Sequence, residues 1–266
     1  MDVLIHPSAI VDAAATIGAG CSIGAYAVIE AGVCLGEGCV IASHVILRKG
    51  SRLGDGVQVD SFSVVGGDPQ LTGFDRAIES EVHIDDRVVL REGCTVHRSM
   101  YAGKATTIGS DCLLMAQSHV AHDCKVGEAT TLANTVLLGG HVQVGEHCFL
   151  GGGCAVHQFC RIGAHTIVGG LASISMDVPP ACMAVKRNHL SGLNLVGLRR
   201  SKIASSEIKD LKLCYHEVFK DGGSFKAKAK AVLEKGTLGR FTLGKAFLKF
   251  FESGGRGFAS PYKKHG

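Results

Sequence analysis

Tryptophan is absent from this chain of 266 residues, and both proline, with five residues, and aromatic residues, at 6%, are scarce. No run of 18 or more apolar residues occurs, so we expect no transmembrane helix and no stable membrane insertion. The first seven residues, MDVLIHP, have no basic segment before an apolar run, which argues against a secretory signal. We therefore expect a cytoplasmic protein whose 11 cysteines are reduced. A hydrophobic content of 46% excludes intrinsic disorder.

Charge is distributed unevenly along the chain. Residues 1–189 hold 12 Lys and Arg against 18 Asp and Glu, a net charge of −6, whereas residues 190–266 hold 16 against 6, a net charge of +10. A basic segment attached to an acidic body favours an acidic partner. Because the segment is not Arg-rich and lacks interleaved aromatic residues, it indicates docking of an acidic protein or a phosphorylated ligand, and no nucleic acid is expected as a partner.

Aliphatic residues recur at every sixth position over long stretches of the chain. Three uninterrupted runs carry the pattern: Ile5 to Val65, Ile84 to Val96, and Ile108 to Ile174. A period of six fits neither the 3.6-residue period of a helix nor a simple two-sided strand, but hexapeptide repeats are typical of parallel β-helices. Each unit then supplies a short strand with an inward aliphatic residue, followed by a turn. The breaks near residues 66–80 and 99–106 predict inserted loops.

Eight of the cysteines lie four residues after a repeat aliphatic residue, which is the second inward position of the predicted unit. Free cysteine behaves as a small buried hydrophobe. We therefore predict that these cysteines pack in the core and form neither disulfides nor a metal site. They are Cys21, Cys39, Cys94, Cys112, Cys124, Cys148, Cys154 and Cys160.

The repeat is expected to end at residues 177–180, Asp-Val-Pro-Pro, because paired prolines cannot continue a strand ladder. Beyond them the pattern becomes helical. An apolar stripe runs from Ile208 to Phe219, and residues 225–235 and 242–251 predict two further helices. The sequence thus predicts a β-helix over residues 1–185 and a C-terminal helical domain over residues 186–266.

Three histidines lie on consecutive coils of the predicted β-helix. His122, His141 and His157 follow repeat positions that are 18 residues apart, the length of three units, so they stack on one face. His119 and Gln158 adjoin them. A single outward histidine is usually an ordinary solvated residue, but a ladder of polar side chains forms a groove, and grooves bind ligands.

General base catalysis fits this ladder better than metal binding does. The histidines are spaced by whole coils rather than as a local chelate, so no metal is expected. Histidine is suited to taking a proton at neutral pH, and Asp123, directly after His122, can orient the imidazole. The N–H of Gly140 can approach a developing oxyanion closely. These residues predict acyl transfer to a hydroxyl or an amine.

At these positions the sequence resembles the UDP-N-acetylglucosamine acyltransferases that begin lipid A biosynthesis, and the resemblance covers nearly the whole chain. Its most specific motifs are HVAHD at 119–123 and VHQF at 156–159. The other matching segments are LLM at 113–115, GGHV at 139–142, IGAH at 162–165, DVPP at 177–180, NH at 188–189, Asn194, and GLRR at 197–200. The resemblance implies an all-β, left-handed parallel β-helix with a C-terminal α-helical domain.

The resemblance also implies a reaction, an assembly and residue roles. A homotrimer with active sites between subunits transfers a 3-hydroxyacyl chain from acyl carrier protein to the 3-hydroxyl of UDP-N-acetylglucosamine, and no cofactor is expected. His122 becomes the general base, Asp123 its orienter and Gly140 the oxyanion donor. Seven further residues fall at substrate-contacting positions: His119, His141, His157 and Gln158 in the sugar and acyl groove, Gly170 where the family measures acyl length, and Asn194 and Arg200 at the nucleotide.

The first inserted loop departs from the family pattern. The family's Asp–Lys pair, which contacts the sugar nucleotide, is missing from residues 68–76, where Asp75 and Arg76 replace it only if the loop is aligned differently. Val196 stands where Glu is usual, and Ser201 where a further Arg is common. The alternatives are therefore an acyltransferase with another sugar-nucleotide or amino-sugar acceptor, a carbonic-anhydrase-like relative with metal-binding histidines between subunits, and a non-enzymatic binding module.

Overall fold

The computed structural model describes residues 2–261, in which strands of two to five residues alternate with turns. The strands before the first inserted loop are β1 (Leu4–Ile5), β2 (Ile10–Val11), β3 (Thr16–Ile17), β4 (Ser22–Ile23), β5 (Val28–Ile29), β6 (Cys34–Leu35), β7 (Val40–Ile41), β8 (Ile46–Leu47), β9 (Ser51–Leu53), β10 (Gln58–Val59) and β11 (Val64–Gly67). Those between the two inserted loops are β12 (Glu81–Ile84), β13 (Val89–Leu90) and β14 (Thr95–His97). Those after the second are β15 (Ala105–Ile108), β16 (Leu113–Leu114), β17 (His119–Val120), β18 (Lys125–Val126), β19 (Thr131–Leu132), β20 (Leu137–Leu138), β21 (Gln143–Val144), β22 (Phe149–Leu150), β23 (Ala155–Val156), β24 (Arg161–Ile162), β25 (Ile167–Val168) and β26 (Ser173–Ile174).

Helices dominate the C-terminal part of the chain. Its elements are β27 (Cys182–Val185), β28 (His189–Leu193), α1 (Leu195–Arg200), α2 (Ser205–Phe219), α3 (Phe225–Lys235), α4 (Thr242–Lys249), a 3-10 turn (Phe250–Glu252) and β29 (Ser260–Pro261). The sequence predicts α2, α3 and α4 but misses α1. None of the helices within residues 2–261 is both long and apolar enough to cross a membrane. The last five residues of the predicted helical domain, 262–266, lie outside the described residues.

The strands form three parallel walls, which makes the fold the predicted parallel β-helix. The first wall runs β1-β4-β7-β10-β13-β16-β19-β22-β25-β27-β28-β29, the second takes every third strand from β2 to β26, and the third every third strand from β3 to β24. From β1 to β26, paired residues outside the inserted loops are 18 apart; for example, Leu132 pairs with Leu150. Three six-residue units therefore complete one coil, as the repeat predicts.

Stacked aliphatic side chains fill the interior of the prism. Leu132, Leu138 and Leu150 are fully buried, and burying one such side chain contributes roughly 1.5–3 kcal/mol. All eight cysteines predicted to point inward are buried, and none forms a disulfide. Burial raises the pKa of Cys124 to about 12, so its thiol stays protonated. That thiol donates to the Gly139 carbonyl at 3.1 Å, and four other core cysteines repeat this contact 15 residues along the chain.

Most turns of the β-helix place the third residue after the inward aliphatic in the left-handed region. Glycine occupies many of these positions, but Asp123 (φ 60°) and His141 (φ 62°) occupy two of them. Residues other than glycine adopt this conformation at a steric cost, Asp and Asn least reluctantly. The left-handed turn projects these polar side chains from the corner of the prism.

The expected end of the repeat at Pro179–Pro180 is wrong. Val178 still bridges to Ile162, and β27 still pairs in parallel with β25. The two prolines lie in the turn between these contacts, where no ladder N–H is required of them. The spacing instead slips by two residues, from Ile174 to Val178, before one more unit follows. The first wall then closes with the antiparallel pair β27–β28.

A buried ion pair ties the C-terminal part to the β-helix. Asp177, fully buried, accepts the Arg161 side chain at 2.8 Å through its Oδ2 and the Arg161 backbone N–H at 2.8 Å through its Oδ1. The same guanidinium donates to the carbonyls of Phe250 at 3.1 Å and Ser253 at 2.6 Å, and it lies 4.2 Å over the Phe250 ring. One arginine of wall three thus binds the segment that follows α4.

We predict that Asp177→Asn lowers the free energy of unfolding by about 3 kcal/mol, because it leaves the Arg161 charge without its buried carboxylate. The measurement is urea unfolding followed by circular dichroism. Lys230→Met is the matched control, since its exposed ion pair with Glu234, at 3.7 Å, contributes no more than about 0.5 kcal/mol. Equal effects of the two substitutions would contradict the anchoring role.

Candidate active site

The candidate site lies along the second wall and at the corner that follows it. Val120 pairs with Leu138, and Leu138 with Val156, so β17, β20 and β23 stack directly on one another. The turn residues after these three strands therefore lie one above the other. His119 projects outward from β17 itself, while His122 projects from the turn that follows.

A cavity of about 630 Å³ opens at this place. It brings together five of the predicted site residues: His119, His122, Gly140, His157 and Gln158. Asp123 and His141 stand behind His122 rather than in the cavity wall. The His141 and His122 rings pack edge to face with their centroids 5.1 Å apart, and His141 stacks on Phe159 with a centroid separation of 4.5 Å. His141 therefore supports the site from outside.

His122 and Asp123 form a hydrogen-bonded pair. Nδ1 of His122 lies 2.9 Å from Oδ2 of Asp123, and the two side chains are only 18% and 10% exposed. A carboxylate that accepts from Nδ1–H assigns the proton to that nitrogen and leaves the lone pair of Nε2 free. The arrangement leaves Nε2 able to accept a proton and supplies a carboxylate that can stabilise the imidazolium.

Three donors keep Asp123 ionised despite its partial burial. Burial by itself raises the pKa of the Asp123 carboxyl, but the Ser99 hydroxyl, the His122 ring and the Met100 N–H hydrogen bond to it, and the net pKa is lowered. Ser99 Oγ lies 2.5 Å from Oδ1, and Met100 N lies 3.2 Å from Oδ2. Ser99 and Met100 both belong to the second inserted loop.

Gly140 leaves room for the His122 ring. A Cβ atom at position 140 would lie 2.6 Å from both Nε2 and Cε1 of His122, closer than real Cβ contacts allow. Within residues 2–261 no protein group accepts the Gly140 N–H, although its carbonyl accepts from Phe159 N at 3.0 Å. The free amide therefore lies beside the imidazole, where an oxyanion donor is required.

Burial disfavours the charged forms of His119 and His141. Burial lowers the pKa of His119, and the charge of protonated His122 would lower it further. His119 Nδ1 lies 2.7 Å from Thr95 Oγ1, which fixes the ring. Burial likewise lowers the pKa of His141, against the opposing charge of Asp123. Neutral imidazoles can hydrogen-bond a polar substrate without adding positive charge.

His97 is a site residue that the sequence reasoning missed. It lines the cavity, is 8% exposed, and packs edge-on against His119 at 4.8 Å. Its signal was present, since it follows Val96 as His157 follows Val156. Gln70, Ser173 and Ile174 also line the cavity, and Arg256 contacts His157. No local pattern in the sequence points to Arg256, because the fold brings it there from near the C-terminal end.

His122, Asp123 and His141 also form the one group within residues 2–261 whose ligand atoms lie close enough to hold a metal ion, all within 4.8 Å of one another. His122 and Asp123 already share a hydrogen bond, and Asp123 Oδ2 is 4.0 Å from His141 Nε2. These contacts are those of a hydrogen-bonded base, which is how we interpret the cluster.

Three predicted substrate residues lie outside the cavity of a single chain. Gly170 lies in the turn between β25 and β26, at the opposite edge of the second wall. Asn194 and Arg200 lie at the start and end of α1, beside the third corner. Asn194 caps α1 by accepting from Gly197 N at 2.9 Å, and it donates to the His165 carbonyl at 2.9 Å. One chain therefore accounts for Asn194 as a helix cap, and substrate contacts from these residues stay predictions.

Comparison with known proteins identifies the family. The family model described as UDP N-acetylglucosamine O-acyltransferase, domain 2, matches residues 177–259, and the bacterial transferase hexapeptide model matches residues 14–49. An acyl-[acyl-carrier-protein]–UDP-N-acetylglucosamine O-acyltransferase from a Sulfurihydrogenibium species is 56% identical over 87% of this chain and 86% of its own length. The chain belongs to the UDP-N-acetylglucosamine O-acyltransferase family. It is accordingly an acyltransferase, as predicted.

Solved structures of UDP-N-acetylglucosamine acyltransferases share the fold over nearly the whole chain. That from Campylobacter jejuni is 31% identical, with a TM-score of 0.89 over 97% of this chain and 100% of the other. That from Francisella novicida is 29% identical, with a TM-score of 0.91 over 97% and 94%. The β-helix is left-handed, as the family resemblance implied and against the usual right-handed crossover.

The environment of His97 predicts a pH-dependent stability. Burial, together with the nearby His119 and His122, lowers the pKa of His97 to about 4. An unfolded histidine has a pKa of about 6.5. Between these values the unfolded chain binds a proton that the folded chain excludes, so stability is complete above about pH 6.5 and falls as the pH falls.

We therefore expect the native chain to lose about 2 kcal/mol more stability than His97→Asn between about pH 7 and about pH 5. The measurement is urea unfolding at the two pH values. A parallel decline of both proteins would show that His97 titrates normally in the folded state.

Proposed function

We propose that this chain transfers a 3-hydroxyacyl group from acyl carrier protein to the 3-hydroxyl of UDP-N-acetylglucosamine, the first step of lipid A biosynthesis. The observation that carries the proposal is the position of His122. Its Nδ1 is held by Asp123 at 2.9 Å, and its Nε2 faces the Gly140 backbone at the cavity. The names of the relatives and of the solved structures agree with this substrate pair.

In the proposed mechanism, His122 Nε2 removes the proton of the acceptor hydroxyl as its oxygen attacks the thioester carbonyl. Asp123 stabilises the imidazolium that forms, and the Gly140 N–H donates to the oxyanion. The tetrahedral intermediate then breaks its carbon–sulfur bond. The departing thiolate takes the proton from His122, which returns the base to its starting state.

Substrate contacts follow from the layout of the cavity. We assign His119, His157 and Gln158 to the sugar and acyl groove because they line it, with His141 behind them. For Gly170, Asn194 and Arg200 we propose roles in acyl length and nucleotide binding that need a neighbouring subunit, because one chain holds them apart from the cavity. This is the argument for a homotrimer with its active sites between protomers.

The charge distribution supports an acidic donor protein. Residues 190–266 carry a net charge of +10, and Lys226, Lys230 and Lys235 are exposed on or at the end of α3. Acyl carrier protein would be attracted to such a surface by opposite charge. We also propose a cytoplasmic location, since every one of the 11 cysteines is free.

The first inserted loop favours an alternative candidate for the acyl acceptor. Arg76, which the sequence left as a possible nucleotide contact, pairs with Asp68 at 3.2 Å, and Asp75 closes a local turn by accepting from Ala77 N at 2.9 Å. Neither side chain reproduces the Asp–Lys pair of the family. The alternative proposal is therefore a different sugar nucleotide, or an amino-sugar nucleotide that would yield an amide.

We predict that His122→Ala lowers the transfer rate by about 10²- to 10⁴-fold while the chain stays folded, because the base is lost. The measurement is product formation with 3-hydroxyacyl carrier protein and UDP-N-acetylglucosamine, followed by mass spectrometry. His147→Ala is the matched control, since His147 occupies an exposed turn at another corner. Near-native turnover by His122→Ala would reject His122 as the base.

Acceptor identity is tested by calorimetric titration. We expect UDP-N-acetylglucosamine to bind saturably and Gln158→Ala to weaken its binding, because the cavity wall loses a hydrogen-bonding amide. Acyl carrier protein binding is measured in parallel as the control. If the carrier protein binds but UDP-N-acetylglucosamine shows no saturable binding, the acceptor is another sugar nucleotide. An amide product would then identify an amino sugar.

A further inference from the structure

Ser99 is buried beside the proposed base but belongs to neither the histidine ladder nor the cavity wall. It is 0% exposed and lies in the second inserted loop, two residues after β14. Its Oγ lies 2.5 Å from Asp123 Oδ1 and accepts the Tyr101 N–H at 3.0 Å. The carboxylate can only accept, and the other acceptor near this hydroxyl, the Tyr101 carbonyl, lies farther away at 3.4 Å, so the hydroxyl proton is directed toward Asp123.

Both oxygens of Asp123 are therefore occupied. Oδ1 accepts from Ser99, while Oδ2 accepts from His122 Nδ1 at 2.9 Å and from Met100 N at 3.2 Å. The Asp123 backbone N–H donates to Thr106 Oγ1 at 2.8 Å, which holds the left-handed turn in place. A carboxylate held at both oxygens cannot rotate away from the imidazole, so the loss of one contact would free it to turn.

Ser99 also connects Asp123 to the first inserted loop. Its carbonyl accepts from Ser80 Oγ at 2.5 Å, and Ser80 Oγ in turn accepts from Arg98 Nη1 at 3.1 Å. Arg98, only 8% exposed, donates through Nε to Asp68 Oδ1 at 2.9 Å and through Nη2 to the Arg76 carbonyl at 3.2 Å. The same loop supplies Gln70 to the cavity.

We propose that Ser99 is a positioning residue that fixes the Asp123 carboxylate against His122, and that the contacts through Ser80 and Arg98 link the base to the first inserted loop. The kinetic consequence rests on the proposed function. The effect on the His122–Asp123 hydrogen bond does not, because that bond is present without substrate. Ser99 acts through Asp123 and touches no reacting atom.

The first experiment observes the hydrogen bond directly. The His122 Nδ1 proton should give a downfield proton NMR resonance that Asp123→Asn removes, which assigns it. We expect Ser99→Ala to shift or broaden this resonance. Ser63→Ala is the matched control, because Ser63 is equally buried but its hydroxyl contacts Arg91 O at 3.0 Å and Cys94 N at 3.1 Å, remote from the pair. An unchanged resonance in Ser99→Ala would overturn the proposal whatever the acceptor is.

The second experiment separates positioning from folding by kinetics. We expect Ser99→Ala to lower kcat about tenfold, the effect of losing one hydrogen bond to a charged group, with the KM for the acceptor unchanged within about twofold. The control Ser63→Ala should lose as much thermal stability as Ser99→Ala does but keep the native kcat. A fall in kcat of equal size in both variants would mean a structural role only and would overturn the proposal.

A double-substitution cycle tests the route of action. If Ser99 works through Asp123, Ser99→Ala should cost nothing further in the Asp123→Ala background. Additive losses would show that Ser99 acts elsewhere. Absence of transfer by the native chain would refute the proposed function, while the NMR measurement would still decide whether Ser99 holds Asp123.

Discussion

Stacking of inward aliphatic side chains is the interaction on which the rest of this structure depends. Each coil buries its aliphatic residues only against those of its neighbours, so the three walls must stay in register along the prism. Val120, Leu138 and Val156 show the consequence, because their pairing fixes the separation of everything that projects after them. His122 and Gly140 are neighbours in space for this reason, although they are distant in sequence.

Polar groups of the site are arranged around one charge. Asp123 is ionised and held by donors at both oxygens, whereas burial lowers the pKa of His97, His119 and His141. Because protonation of these three histidines is disfavoured, the Asp123 carboxylate acts chiefly on His122. The inserted loops complete this arrangement, and they are the parts of the chain in which the six-residue repeat is broken.

The repeat predicted the walls, the inward cysteines and the grouping of His119, His122 and His157, because all three depend on a fixed period. It failed where the period is broken. The strand ladder continues beyond Pro179 and Pro180 because a turn tolerates residues that lack a backbone N–H, whereas a strand does not. Helix α1 was missed because it is too short to give an apolar stripe. Ser99 and Arg256 reach the site through loop conformations and long-range packing, which no local pattern encodes.

The core thiols donate hydrogen bonds from the second inward position of the repeat. Five cysteines donate to a carbonyl of the next coil, and Thr130, at the same position of its own unit, donates to Gly145 O at 2.9 Å. The position therefore accepts a small side chain that can donate a hydrogen bond as well as an aliphatic one, such as Val33, Val45 or Val142. Where cysteine or threonine occupies it, the side chain packs as a small core group and also donates to a carbonyl, so a position that hydropathy scores as apolar can be amphiphilic.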